Sequence, residues 1–449
     1  MRSSNRATIA IAAITAASLL LAACSSGSPA TNAPASDSPA GATPTVAAST
    51  GGDTGAPVTI TLGSWRTEDL AMWQDEILPA FTALHSNITV EFSPTDTNQY
   101  NAAIQSQIAG GTGPDLITCR PYDVNRSWID QGYFEKLDGL AALDAFEPLA
   151  LDAWNGLDGS HYCEPVAAVL AGFYYNKAIF SELGLSVPTT QAEFIDVLTK
   201  VKDNGKYEAM ALGSAESWQL AYNGLYSIGP AYWKGEAGRQ GLIDGSKKVT
   251  DKEFVDAIAA FDAWKPFLPA GQESLKYADM TQLFALGKAA ILPDGSWDIN
   301  QVTANGIDVG VFGPPVPNDG DKRFLQEMPD MAIGINAASK NKDAARLFLD
   351  WVSTTEFQEL YANKVPGFFA MGKAPVTYTN ALAQAFADLK TGAQLTPRLG
   401  LDRLSAGTPP FDDEVWRLLQ VMYTTDTTTP ADVAQQLQTG LASWYTPQQ

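Results

Sequence analysis

Histidine is nearly missing from this chain: His85 and His161 are the only two in 449 residues. That excludes a metal centre built from several histidines and leaves few candidates for histidine acid–base chemistry. Cysteine is almost as scarce, at three. Positive charge is short as well, with 29 Lys and Arg against 50 Asp and Glu and a formal net charge of −21. Nucleic acid, whose recognition needs a basic footprint, is not an expected partner. No apolar run reaches the ~18 residues of a membrane-spanning helix. What remains is ordinary for a folded protein, with 45% hydrophobic and 18% charged residues. A single core stops growing near ~250–300 residues, so two domains are expected.

The first residues read as an address. Arg2 and Arg6 precede a small, apolar stretch at 7–20, too short to span a bilayer and fitting a secretory signal. Leu21-Ala22-Ala23-Cys24 follows, then Ser25-Ser26-Gly27. This resembles the lipobox of bacterial lipoproteins. The resemblance implies cleavage after residue 23 and acylation of Cys24, with a cell-membrane location on the extracytoplasmic side. Residues 24–56 are poor in anything that could form a core: Ser, Thr, Ala, Pro and Gly dominate and no aromatic is present. They read as a flexible tether. Cys119 and Cys163 are left in an oxidising compartment. A disulfide is expected there, with two buried free thiols as the alternative.

From residue 57 the pattern is α/β. Residues 58–64 alternate and are β-branched, 69–84 repeat apolar residues at helical spacing, and 88–92 read as a second strand. A helix at 99–109 stops at Gly110-Gly111, and Asp115–Cys119 is a third strand. Alternating strands and helices point to βαβ units and a parallel sheet. The glycines at 110–113 lack the Gly-Lys-Ser/Thr ending of a phosphate loop. Thr190 to Glu193 is a capping box, and Thr429-Pro430 opens a last helix.

Several segments share one pattern: Gly111-Thr112-Gly113-Pro114-Asp115, Gly132-Tyr133-Phe134, Tyr174-Tyr175-Asn176-Lys177, Phe284-Ala285-Leu286-Gly287-Lys288, Gly295-Ser296-Trp297 and Ile335-Asn336-Ala337. In their order and spacing the chain resembles the extracellular solute-binding proteins of sugar ABC importers, the maltose-binding-protein type. The resemblance implies a type II periplasmic-binding-protein fold: two α/β lobes joined by a hinge, with ligand in the cleft. Lobe 1 is expected at 57–165 and 328–357, lobe 2 at 166–327 and 358–449. It also implies a binding protein rather than an enzyme, a monomer without cofactor or metal, and ABC permease subunits as partners.

A sugar offers C–H faces to aromatic rings and hydroxyls to planar polar groups. The candidates are therefore Trp beside polar residues at strand ends. Trp65 and Arg66 follow the first strand, and Arg120 and Asp123 follow the third. The family pattern adds Trp297 with Asp294 as a stacking platform, Trp218 as a second platform, Trp416 on a helix, and Phe368 with Phe369 at the cleft edge. The crossover after Pro165 is apolar where maltose binders carry a carboxylate, so a different hydrogen-bond pattern is expected. The leading expectation is a carbohydrate, an oligosaccharide by the number of platforms. A non-sugar solute is the alternative. A glycoside hydrolase is the remote one, since the eight βα units of a barrel are missing and it would need two carboxylates facing one bond.

Overall fold

A computed structural model of the chain describes residues 55–146, 148–425 and 427–449. Cys24 and the segment up to residue 54 lie outside the described residues, as does the side chain of Asp123. Among the described residues ten strands are formed: β1 (Val58–Ser64), β2 (Ile88–Pro94), β3 (Leu116–Cys119), β4 (Cys163–Asn176), β5 (Glu208–Met210), β6 (Ala289–Gly295), β7 (Val309–Phe312), β8 (Phe324–Ile335), β9 (Phe369–Ala370) and β10 (Gln394–Thr396). Parallel pairing joins β1 to β2 and β3, β5 to β6, and β8 to β10. The expected parallel sheets are present, but each is completed by antiparallel strands. β3 pairs antiparallel with β8, and β4 pairs antiparallel with β6, β7, β8 and β9. The reason is connectivity: β4 and β8 are long strands that leave one sheet and run on into the other.

Two hydrophobic cores flank these crossovers. The first gathers Ile60, Leu62, Trp73, Phe81, Phe92, Ile117, Trp128, Trp154, Ile333 and Phe348. The second gathers Phe173, Phe194, Leu212, Phe254, Phe261, Trp264, Ile291, Leu418 and Leu437. Along β4 the first core holds residues through Val169 and the second begins at Leu170. A third crossing falls between Phe368, in the first core, and Phe369, in the second. This is the α/β fold of two lobes and a hinge.

Local chemistry sets the details. The expected helix over 69–84 is composite: Thr67–Asp69, Leu70–Met72, a wider π turn at Trp73–Ile77, then Leu78–Leu84. Pro79 lacks an N–H and its ring crowds the carbonyl four residues back, which loosens the ladder there. The expected capping box, Thr190 with Glu193, is formed, and the last helix opens at Thr429-Pro430 as expected, with Asp432 closing a capping box there too.

The crossover pair β4–β8 is doubly bulged. Pro165 faces Ala332, Ala167 faces Met331, and Ala168 faces Pro329, so Val166 and Asp330 have no residue opposite. Proline cannot donate to a ladder, and in sheets it collects at edges and bulges. Cys119, at the end of β3, is bonded to Cys163, at the start of β4, with an S–S distance of 2.07 Å and Cα atoms 6.5 Å apart. The bridge passes over β8. A Cβ on Gly334 would sit 2.9 Å from the Cys163 sulfur, so the central strand is bare where the bridge crosses.

Candidate functional site

The sequence candidates follow the carboxyl ends of strands that run in opposite directions, β1 and β3 one way and β5 and β6 the other, so the two sets of ends face each other. Trp65 follows β1 and Arg120 follows β3, while Trp297 follows β6 and the segment after β5 leads to Trp218. In open α/β sheets the carboxyl ends of strands border the ligand crevice.

The first lobe contributes a charged wall. Trp65 is buried, its ring edge-on to Tyr100 at 5.5 Å, and the Arg120 guanidinium lies 4.1 Å from its centroid. Arg120 donates through Nε to Asn101 (3.3 Å) and through Nη2 to the carbonyl and hydroxyl of Thr97 (3.2 and 3.1 Å). Burial lowers its pKa, with Asp330 pulling the other way and Arg398 and Arg66 adding repulsion. Arg66 is buried and forks onto Asp69, its Nη2 reaching Oδ1 at 3.2 Å and its Nε making a shorter bond to Oδ2. Glu68 is 3.2 Å from its Nη1. Burial opposes that charge, but Asp69 and Glu68 outweigh it and hold the guanidinium protonated well above its ordinary range.

The second lobe contributes an aromatic wall. Trp218 packs 4.9 Å from Tyr277 and 5.9 Å from Tyr222, and Tyr222 packs 5.9 Å from Trp416. Arg398, held by Asp412 at 2.9 Å, lies 4.4 Å over the Tyr222 ring. Trp218, Tyr222, Tyr277, Trp297 and Trp416 all keep part of their surface exposed. The indole Nε1 of Trp416 is buried without a partner among the described residues. Trp297 donates its Nε1 to the Tyr277 hydroxyl. Its ring folds back over Gly295, where a Cβ would approach to 1.8 Å, so glycine at that position is a steric requirement.

Under this wall lies a buried acid pair. The Tyr277 hydroxyl donates to Asp298 Oδ2 (2.8 Å) and lies 3.3 Å from both oxygens of Asp294. Thr281 also donates to Asp298, at 3.0 Å, and the Gly295 N–H donates to Asp294 at 2.8 Å. Burial, then the charge of Asp298, pushes the Asp294 carboxyl well above the carboxylate range. Burial raises Asp298 as well. The two acids fix the Tyr277 hydroxyl, and Tyr277 fixes the indole of Trp297.

The walls meet through named contacts. Asn98, next to the Thr97 that holds Arg120, donates to Glu216 at 2.7 Å, and Glu216 accepts from the Tyr277 N–H at 2.9 Å. Arg66 Nη2 reaches the Trp297 carbonyl at 3.4 Å, and Arg126 pairs with Asp402. The structure thus brings together Trp65, Arg66, Arg120, Trp218, Asp294, Trp297 and Trp416. Asp123 opens the helix Asp123–Asp130. The residue before it, Tyr122, has φ 62°, a costly conformation for a bulky side chain. Phe368 and Phe369 are corrected: both are fully buried in the two cores, with no face left for a ligand. Phe368 instead lies under the Arg66 guanidinium at 4.4 Å. Sequence reasoning missed Tyr222, Tyr277, Arg398, Asp69 and Asp298. Tyr222 sits in a π turn, Ala221–Leu225, a feature frequent at functional sites but invisible in residue pattern. Among the described residues no group of acids, His or Cys could hold a metal ion.

The arrangement sets flat apolar faces on one side and fixed donors and acceptors on the other, the chemistry that a polar ligand with apolar faces would need. The chain belongs to the bacterial extracellular solute-binding protein family, whose model matches residues 63–359. It is similar to the multiple sugar-binding protein of Streptococcus mutans, 25% identical over 287 residues, 61% of this chain and 67% of that one. The mannitol-binding protein of Pseudomonas aeruginosa is 26% identical over 323 residues, 68% of this chain and 71% of that one. Among solved structures, a protein of xylan utilization from Caldanaerobius polysaccharolyticus superposes with a TM-score of 0.73 at 18% identity, covering 85% of this chain and 99% of that one. At that identity the likeness speaks for the fold.

Proposed function

We propose that this protein is a lipid-anchored substrate-binding protein of an ABC importer. It takes up a carbohydrate between the two walls and delivers it to the permease without chemical change. The single observation that supports this reading is the cluster of partly exposed rings, Trp218, Tyr222, Trp297 and Trp416, joined to the charged wall through Arg66–Trp297 and Asn98–Glu216. Rings stack on C–H faces, and each stacked ring contributes ~1–3 kcal/mol by analogy with base stacking. Several rings suit an oligosaccharide. The names of the sugar- and mannitol-binding relatives point the same way. The residues in contact with ligand are Trp65, Arg120, Trp218, Trp297 and Trp416, with Asp123 beside Arg120; Arg66 and Asp294 act as supports.

The lobes are 57–165 with 328–357 and 166–327 with 358–449; the core crossings at Val169–Leu170 and Phe368–Phe369 favour moving the boundaries at 165 and 357 a few residues on. Closure follows from ligand touching both walls, since a ligand shifts an equilibrium only by its differential affinity for two states. Cys24 carries the lipid, the folded part acts as a monomer, and mass spectrometry of the native chain should show a diacylglycerol-modified Cys24 as first residue.

The test is a thermal-shift screen over an oligosaccharide panel, followed by incubation with the labelled hit. A ligand at 100 times its Kd stabilises by ~2.7 kcal/mol. Stabilisation with the sugar recovered intact is the expected result. Cleavage of the sugar would favour a hydrolase, and a panel with no hit would remove the carbohydrate reading.

A further inference from the structure

The crossover at 166–171 is apolar and supplies no acceptor side chain. The opposite crossover strand has one. Asp330 is the residue of β8 left without a partner by the bulge between Met331 and Pro329. A bulge re-aims a side chain out of the regular alternation, and bulges are frequent beside active sites. Its neighbours are the site itself. The charges of Arg66 and Arg120 both act on the Asp330 carboxylate, and Asp69 repels it. It also acts on Tyr361, whose buried hydroxyl has no partner. Asp330 is half-buried, and among the described residues no hydrogen bond or ion pair reaches it.

That combination is unusual. A carboxylate held near two guanidinium groups would ordinarily close an ion pair with one of them. Here both are already engaged: Arg66 by Asp69 and Glu68, Arg120 by Asn101 and Thr97. Only Nη1 of Arg120 makes no bond among the described residues, so this side chain keeps a donor that a ligand could use. Burial outweighs the two arginines and pushes the Asp330 carboxyl upward, so its ionised form is left short of hydrogen bonds in the ligand-free fold.

We propose that Asp330 is a ligand-binding carboxylate on the floor of the cleft. It accepts hydrogen bonds from adjacent hydroxyls of a neutral polyhydroxylated ligand while Arg120 donates to the same ring. A hydroxyl is both donor and acceptor, so it satisfies the acid and the guanidinium together, which neither a cation nor an anion does. This rests on the carbohydrate reading above and adds the residue that selects hydroxyl geometry at the hinge.

The experiment uses the full-length protein with maltotriose, raffinose, mannitol and a galacto-oligosaccharide as probes. Binding is measured by calorimetry for the wild type, Asp330→Asn, Asp330→Ala and Trp297→Ala. Hydrogen bonds to a charged group set the scale, so Asp330→Asn should bind its probe roughly ten- to a hundredfold more weakly. The unliganded Asp330→Asn protein should melt at the same temperature as the wild type or higher, because a carboxylate short of partners has been removed. A purely structural role predicts the reverse. Wild-type affinity in Asp330→Asn, or a lower melting temperature without ligand, overturns the proposal. If Trp297→Ala loses the probe while Asp330→Asn keeps it, the carbohydrate reading stands and this assignment falls. If no probe binds the wild type, both fall.

Discussion

The two walls of the cleft are built on opposite plans. In the first lobe, charge is concentrated and already satisfied: Arg66 is locked to Asp69 and Glu68, and Arg120 is tied to Asn101 and Thr97. In the second lobe, charge is pushed underneath, into the Asp294–Asp298 pair, and the surface is aromatic. A buried ion pair fixes geometry but adds little to stability over an apolar pair, whereas removing one partner is strongly destabilising. A stacked ring works the other way: its loss leaves the fold standing and removes contact with ligand. The comparison therefore separates residues that hold the site from residues that touch what enters it.

The largest expected effect is on stability. Arg66→Ala leaves Asp69, 1% exposed, as an unpaired buried carboxylate. Urea unfolding should show a loss of about 3–5 kcal/mol. A loss under about 1 kcal/mol would mean that the first wall is not held as described. Next comes Trp297→Ala, expected to weaken sugar binding by about 1–3 kcal/mol in calorimetry with the melting temperature of the free protein little changed. Equal effects of the two substitutions on both readouts would erase the distinction between the walls.

A third expectation concerns pH. Glu164 in β4 is fully buried, among the described residues neither of its carboxylate oxygens has a hydrogen-bond partner, and burial pushes its pKa well above the ordinary value. A raised folded pKa means that the stability this group contributes is complete below the unfolded value of ~4.3 and is lost as pH rises through the folded one. The wild type should therefore lose melting temperature between pH 5 and pH 8, and Glu164→Gln should lose less. Exposed carboxylates with lowered pKa, such as Asp158 at about 2 beside Lys136, act only at more acid pH. An identical slope in both proteins would contradict the assignment. The smallest effect belongs to the bridge between walls. Asn98→Ala removes one hydrogen bond to Glu216, worth about 1 kcal/mol. Solution scattering of the ligand-free protein should show a slightly larger radius of gyration.

Much of this was legible in the sequence, and the reasons are local. The capping box at Thr190, the helix start at Thr429-Pro430, the strand at Val58–Ser64 and the strand ends bearing Trp65, Arg120 and Trp297 depend on neighbours within a few residues. Gly295 announces Trp297 because the ring lies on the glycine. Other residues were hidden because tertiary placement alone makes them part of the site. Tyr222 and Tyr277 look like any helix residue, and Arg398 lies in an irregular segment. The first half of β8 was missed because Pro329 breaks the strand pattern, and that proline marks the bulge at Asp330. Phe368 and Phe369 were misjudged because a loop motif says nothing about burial, and both rings sit in the cores at the third crossing.

The most direct measurement is a crystal structure with the sugar that the thermal screen finds. The two-wall cleft predicts a pyranose ring stacked on Trp297 or Trp218, its hydroxyls within hydrogen-bond distance of Arg120, and the Asn98–Glu216 contact closed. Sugar density elsewhere, such as the open groove of about 860 Å³ lined by Gln74, Leu78, Glu91 and Ser93, would contradict it.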